Sequence, residues 1–199
     1  QQQTINLYSQ LTSHLMTKHC MMRCEEVGQT GPRATRKTGI TSNEPAPDPE
    51  DLRNMKYVCK KFSELSAIEI ERILRLRNEV FIVEQQCIYM DIDGKDECSQ
   101  HLFALEGDEV VACLRIVPAG GKFAHVSLGR IVVAKPFRGQ GISRKLMQIA
   151  FDFCKDILSC EQVMLYGQVY IVPFYQSLGF RIVSEEYLED GIWHVDMIK

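Results

Sequence analysis

The residues of this chain best placed to do chemistry are Arg138-Gly139-Gln140-Gly141-Ile142-Ser143, which follow directly on the apolar run Gly129-Arg130-Ile131-Val132-Val133-Ala134. A strand that feeds a glycine-containing turn and then a helix brings two properties together. Glycine lets the backbone approach a ligand closely and adopt turns closed to other residues. The start of a helix presents N–H groups without intrahelical partners, at the positive end of the helix dipole. The combination is a seat for a phosphate or diphosphate. Two well-known loops of that kind do not fit. A Walker A loop needs G-x-x-x-x-G-K-[ST], and no such run occurs. A Rossmann fingerprint needs G-x-G-x-x-G, but Arg144 holds the third glycine position and no acidic residue of the expected kind closes a βαβ unit.

The pattern around the loop predicts the elements that hold it. Residues 56–62 read as a first strand. Ser66-Ala67-Ile68-Glu69 is a capping box that opens a helix, with Ile73, Leu76, Val80 and Val83 recurring on one face. Residues 102–105 and 110–117, separated by Glu106-Gly107-Asp108-Glu109, read as a hairpin, and residues 126–133 as a third strand. Residues 140–158 form the clearest amphipathic helix, with Ile142, Leu146, Ile149, Ala150, Phe153 and Ile157 on one face. A strand at 162–166 follows, then a helix of about two turns ending at Gly179, then strands around 185–191. Strands first, then alternating helix and strand, predict one mixed sheet with helices on both faces, an α/β (α+β) architecture.

Composition narrows the function classes. The 199 residues suffice for one domain and a tail, and the 45% hydrophobic and 25% charged content is that of an ordinary soluble protein. A net charge of −3 argues against non-specific nucleic-acid binding, and no apolar stretch approaches the length of a membrane span. Residues 28–51 are rich in Gly, Pro, Ser, Thr and charge, which reads as linker. A short helix is expected over residues 7–22. Residues 1–54 are therefore expected to be a poorly ordered extension, with the domain proper over 55–199. Eight cysteines lie mostly in apolar runs and are expected to be reduced thiols in the cytoplasm. His19, Cys20 and Cys24 lack a second ligand pair, so no metal site is expected.

The loop resembles R-x-x-G-x-G/A, and with it the chain resembles the GCN5-related N-acetyltransferases, which hold acetyl-coenzyme A. Val133-Ala134-Lys135-Pro136-Phe137-Arg138-Gly139 is similar to that family's passage from strand to loop. Pro173-Phe174-Tyr175-Gln176-Ser177-Leu178-Gly179-Phe180 resembles its later F-Y-x-x-x-G-F signature. Residues 76–85, Tyr89-Met90-Asp91-Ile92-Asp93-Gly94 and 189–197 resemble the ElaA-like branch, so the likeness covers residues 56–199. It implies a central, twisted, mostly antiparallel sheet and a direct transfer of acetyl to an amine in a ternary complex. By the same resemblance, acetyl-coenzyme A lies along Ile131, Val132 and Val133, with a backbone N–H there facing the thioester oxygen. Its diphosphate sits on Arg138, Gly139, Gln140, Gly141, Ile142 and Ser143, and Tyr175 stands near its sulfur.

An acceptor amine with a pKa of about 10.4 is neutral only about once in 2,500 molecules at pH 7, so a proton acceptor helps. Glu84, Asp91, Asp93, Glu186, Glu189, Asp190 and His194 are candidates, and Glu84 and His194 are favoured. Tyr175 is expected to hydrogen-bond the departing sulfur. Cys113 and Cys154 lie in an apolar strand and a helix with no His at triad spacing, so no acyl-cysteine is expected. The acceptor is a small-molecule or peptide amine, with no metal, and a homodimer stays open because many relatives pair. Two other readings remain: a non-catalytic coenzyme-binding module, and an acyltransferase with another donor, since Arg77-Asn78-Glu79-Val80-Phe81 is faintly similar to acyl-homoserine-lactone synthases.

Overall fold

The computed structural model describes residues 55–120 and 124–199. The expected helix over 7–22 and the expected extension 1–54 lie outside the described residues.

Strand β1 (Lys56–Lys61) leads through a short 3-10 turn to helix α1 (Ala67–Arg77). The capping box forms as expected: the Glu69 N–H donates to Ser66 Oγ at 3.2 Å, and the Ser66 N–H donates to Glu69 Oε2 at 2.8 Å. After Arg77 the helix widens into a π-helical stretch, Asn78–Glu84, closed by the Gln85 N–H donating to the Val80 carbonyl at 3.0 Å. The wider turn breaks the 3.6-residue period on which the sequence expectation rested. Ile73, Leu76 and Val80 remain buried, but Val83 swings out to 66% exposure.

Strands β2 (Gln100–Glu106) and β3 (Glu109–Val117) form the expected hairpin, turning at Gly107-Asp108. Every residue of β3 from Val110 to Val117 is buried, so both faces of the sheet are covered there. Strand β4 (Val126–Val133) pairs antiparallel with β3, but a bulge interrupts the ladder. Arg115 faces Gly129 and Cys113 faces Val132, which leaves Arg130 and Ile131 opposite Leu114. Arg130 takes φ +53°, unusual for a non-glycine residue. A bulge bends its strand. Accordingly β4 runs parallel to β5 (Val163–Gln168) through only Val126↔Val163 and Ser127↔Met164, and beyond that pair the two strands stand unpaired.

Helix α2 (Ile142–Asp156) begins at Gly141 and buries Ile142, Leu146, Met147, Ala150 and Cys154. It stops short of the expected length, and Ile157 is 66% exposed. Helix α3 (Val172–Gln176) is shorter than the two turns expected because a 3-10 turn, Val169–Ile171, takes its place. Strands β6 (Arg181–Ile182), β7 (Tyr187–Glu189) and β8 (Ile192–Ile198) complete an eight-stranded sheet in the order β1-β2-β3-β4-β5-β8-β6, with β7 on β8. Among the described residues only β4–β5 is parallel and the other pairs are antiparallel, which is the mixed sheet expected from the sequence. Among the described residues no helix is long and apolar enough to cross a membrane.

Candidate active site

Where β4 leaves β5, a cavity of about 820 Å³ opens, lined by residues of both strands, the π-helical stretch, α3 and the β7–β8 turn. Its size lies within the range of small-molecule sites. Of the residues expected to hold the donor, Ile131, Val132, Val133, Arg138, Ser143 and Tyr175 line it. Gly139, Gln140, Gly141 and Ile142 do not; they form the loop that continues from Arg138 into α2. Gly139 and Gly141 take φ +76° and +81°, and a methyl on either would meet nothing within 4 Å. Backbone conformation, rather than crowding, therefore calls for glycine at both. Ile142 differs from the expectation in one respect: its side chain belongs to the core, so only its backbone can face a ligand. Gln140 turns back, its Nε2 donating to the Pro136 carbonyl at 3.1 Å, which braces the loop. Ser143 stands where the resembled pattern has Gly or Ala.

Arg138 is fully engaged. Its Nε donates to the Val133 carbonyl at 2.9 Å, and Nη1 and Nη2 donate to the two Glu84 carboxylate oxygens at 2.6 and 2.9 Å. These hydrogen bonds, aided by the Arg138 and Lys135 charges and opposed by partial burial, hold the Glu84 carboxyl below the usual carboxylate range. Tyr175 on α3 is buried, its ring edge-on to Phe180 at 6.0 Å and tilted against Phe174 at 5.4 Å. Burial pushes its phenol up to about 12. Gly167 on β5 makes room for that ring: a Cβ there would stand 2.9 Å from Tyr175 Cε2. No sequence expectation included Gly167; the signal available was a glycine inside an otherwise well-formed strand.

His194 on β8 pairs with Gln168 on β5 and lines the same cavity. Its Nδ1 lies 2.8 Å from the Ile192 carbonyl. A carbonyl only accepts, so Nδ1 carries the hydrogen and Nε2 of the neutral ring keeps its lone pair. The imidazole stacks on Tyr187 at 6.2 Å and tilts against Tyr166 at 6.5 Å.

Beside the cavity lies a group that the sequence reading missed. Arg77, Arg115 and Arg130 interlock with Asp91, Asp93 and Asp96. Arg77 reaches Asp91 at 2.8 Å and Asp96 at 2.7 Å; Arg115 reaches Asp93 at 2.7 Å and Asp96 at 3.1 Å. Arg130 Nε stands 2.7 Å from Asp91 Oδ1, a charge contact without hydrogen-bond alignment, and its Nη1 donates to Tyr166 Oη at 3.2 Å. For Asp93, burial works to raise the pKa, but the Arg115 hydrogen bonds and charge outweigh it and leave the carboxyl far below its ordinary range. Asp91 and Asp93, two of the candidate bases, are thus committed to arginines. Glu189 and Asp190 line the cavity, whereas Glu186 lies outside it. Cys113 and Cys154 are buried, and burial pushes both thiols up to about 12, as suits inert thiols.

Comparison with known proteins bears on this geometry. Residues 62–199 match the model of an acetyltransferase (GNAT) domain. The chain is 38% identical over 139 residues to protein ElaA of Escherichia coli, covering 69% of this chain and 91% of ElaA. Among solved structures it is similar to an acyl-CoA N-acyltransferase from Pseudomonas aeruginosa, with a TM-score of 0.70, 34% identity and coverage of 73% and 99%. A CoA-dependent acyl-homoserine lactone synthase, BjaI, has a TM-score of 0.61 at 20% identity, covering 72% of this chain and 82% of BjaI, and shares the fold alone.

Proposed function

The chain belongs to the acetyltransferase (GNAT) domain family, and on that premise we propose that it is an N-acetyltransferase taking acetyl from acetyl-coenzyme A to a primary amine. The observation that carries the reading is the parting of β4 and β5 into a cavity that ends at the glycine loop and is walled by Tyr175 and His194. The unpaired edge of β4 at Ile131, Val132 and Val133 offers backbone groups to the extended pantetheine arm, and one N–H there polarises the thioester carbonyl. The amides of the loop from Gly139 to Ser143, with the Arg138 side chain, take the diphosphate at the start of α2.

The chemistry is direct. The neutral amine nitrogen forms a bond to the thioester carbonyl carbon, the C–S bond breaks, and the amine proton passes to a base. His194 suits that role because Nε2 is the acceptor of its neutral ring. Glu84, the other favoured base, is a carboxylate and so a weaker proton acceptor than an imidazole, whether or not Arg138 holds it. Tyr175 donates a hydrogen bond to the departing sulfur. Full proton transfer from a phenol near 12 to a thiolate of ordinary pKa about 8.5 runs uphill by about 5 kcal/mol, so the hydrogen bond is its contribution. The free thiols of the described residues fit a reducing compartment, the cytoplasm.

The test is to follow free thiol from acetyl-coenzyme A against polyamines, amino acids and peptides. The reading requires release with at least one amine, in step with amide formation. Tyr175→Phe should lower turnover about 10- to 100-fold, the worth of a hydrogen bond to a charged group, with coenzyme affinity nearly unchanged. Coenzyme binding without thiol release across the panel would instead make the chain a binding module.

A further inference from the structure

The Arg138–Glu84 pair joins the two ends of the site. Glu84 ends the π-helical stretch and lines the cavity; Arg138 opens the glycine loop and lines it too. Each side chain is 38% exposed, so neither is locked in the core. Both partners of the Arg138 side chain, Glu84 and Val133, line the same cavity. Glu84 supplies an anion where the loop is built to receive one. The Val133 carbonyl, which accepts from Arg138 Nε, lies on β4, where the pantetheine arm would add as a strand.

We propose that Glu84 is a positioning residue that holds Arg138 in reserve, and that the donor's diphosphate takes Arg138 from it. The inference rests on the reading above, that a coenzyme A thioester occupies this cavity. The exchange has two consequences. Donor binding works against the existing ion pair, so its affinity is lower than the loop alone would give. Donor binding also strips Glu84 of its counter-charge, leaving a bare carboxylate in the cavity wall for the ammonium of the acceptor. The acceptor then docks best after the donor. Glu84 accordingly changes from an internal partner to a substrate contact within one catalytic cycle.

Two variants that break the same pair separate this from a structural bridge. Glu84→Gln frees Arg138 and should tighten coenzyme A binding, measured by calorimetry on the full chain, by roughly 2- to 5-fold, the worth of an exposed ion pair. Arg138→Gln breaks the pair as well but removes the diphosphate's partner, and should weaken binding. Pantetheine, which has no diphosphate, should bind wild type and Glu84→Gln equally. If Glu84 merely holds the loop in shape, both variants weaken coenzyme A binding, and the proposal is overturned. Unchanged affinity in Glu84→Gln overturns it too. Absence of any coenzyme A binding by the wild-type chain defeats instead the reading on which the proposal stands. Circular dichroism of each variant establishes that a weakened affinity comes from a folded protein.

Discussion

Arginine meets carboxylate in two places around one cavity, and the two meetings do opposite work. In the interlocked group, Arg77 and Arg115 are 1% and 2% exposed, and three guanidinium groups face three aspartates. At the loop, a single guanidinium faces a single carboxylate, both well exposed. The bond lengths hardly differ: 2.7 to 2.8 Å from Arg77 in the buried group, 2.6 to 2.9 Å at the loop. What differs is the alternative open to each partner. A buried charge that loses its partner has no water to turn to. An exposed one trades its partner for water or another anion at little cost. Burial therefore decides which ion pair is frame and which is exchangeable. The buried group holds Arg130, which stands at the β4 bulge where β4 and β5 part. The exposed pair is then free to take part in ligand exchange.

The largest effect expected from this contrast is on stability. Arg77→Met removes one cation from the buried group and leaves Asp91 and Asp96 each short of a partner. Breaking a buried pair in this way costs about 3–5 kcal/mol. Urea denaturation of the wild type and the variant measures it. A loss below about 1 kcal/mol would show that water reaches the aspartates, and the distinction between frame and exchangeable pair would fail.

Acid should act on the buried group in a fixed order. His101 is buried, its Nε2 2.9 Å from the Asp96 carbonyl, and burial, together with Arg77 and Arg115, lowers its pKa against the opposing pull of Asp96. Its folded form thus holds the proton less tightly than the unfolded chain does. Stability from this group is complete above about pH 6.5, the unfolded value, and is lost as pH falls from there through the folded value. Asp93 and Asp96, both lowered, keep their contribution until pH falls below about 4. Denaturation midpoints should therefore decline in two stages, and His101→Gln should flatten the first. A first stage that persists unchanged in that variant would assign it to another group.

The contrast also explains what could be read in advance. The sheet, its hairpin and the loop were legible because each rests on local chemistry: the apolar run of residues 110–117, broken only by Arg115, the Ser66–Glu69 capping box, glycines at Gly139 and Gly141. Val83 was misplaced because a π-helical turn has no signature in hydrophobic period. Tyr175 and His194 were legible as residue types, but Gly167, on which the Tyr175 ring rests, owes its role to a contact between separate elements. The buried group was missed for the same reason. A sign of it was present: Arg115 lies within Cys113-Leu114-Arg115-Ile116-Val117, and an arginine inside an apolar strand must have a buried partner. Which carboxylates answer it depends on the path of the loop carrying Asp91, Asp93 and Asp96, and that path is set by the fold.

The smallest effect is the most telling. Glu84→Gln deletes an ion pair with two short, well-formed hydrogen bonds, which by contact geometry alone ranks with those of Arg77. Its two members are exposed, so removal should change unfolding free energy by no more than about 1 kcal/mol. Measured beside Arg77→Met under identical conditions, the two substitutions compare like bonds at unlike burial. A loss from Glu84→Gln as large as that from Arg77→Met would mean that the loop pair is also frame, and Arg138 could not leave it for a diphosphate. A negligible loss leaves Arg138 energetically free to move, which ligand exchange at this site requires.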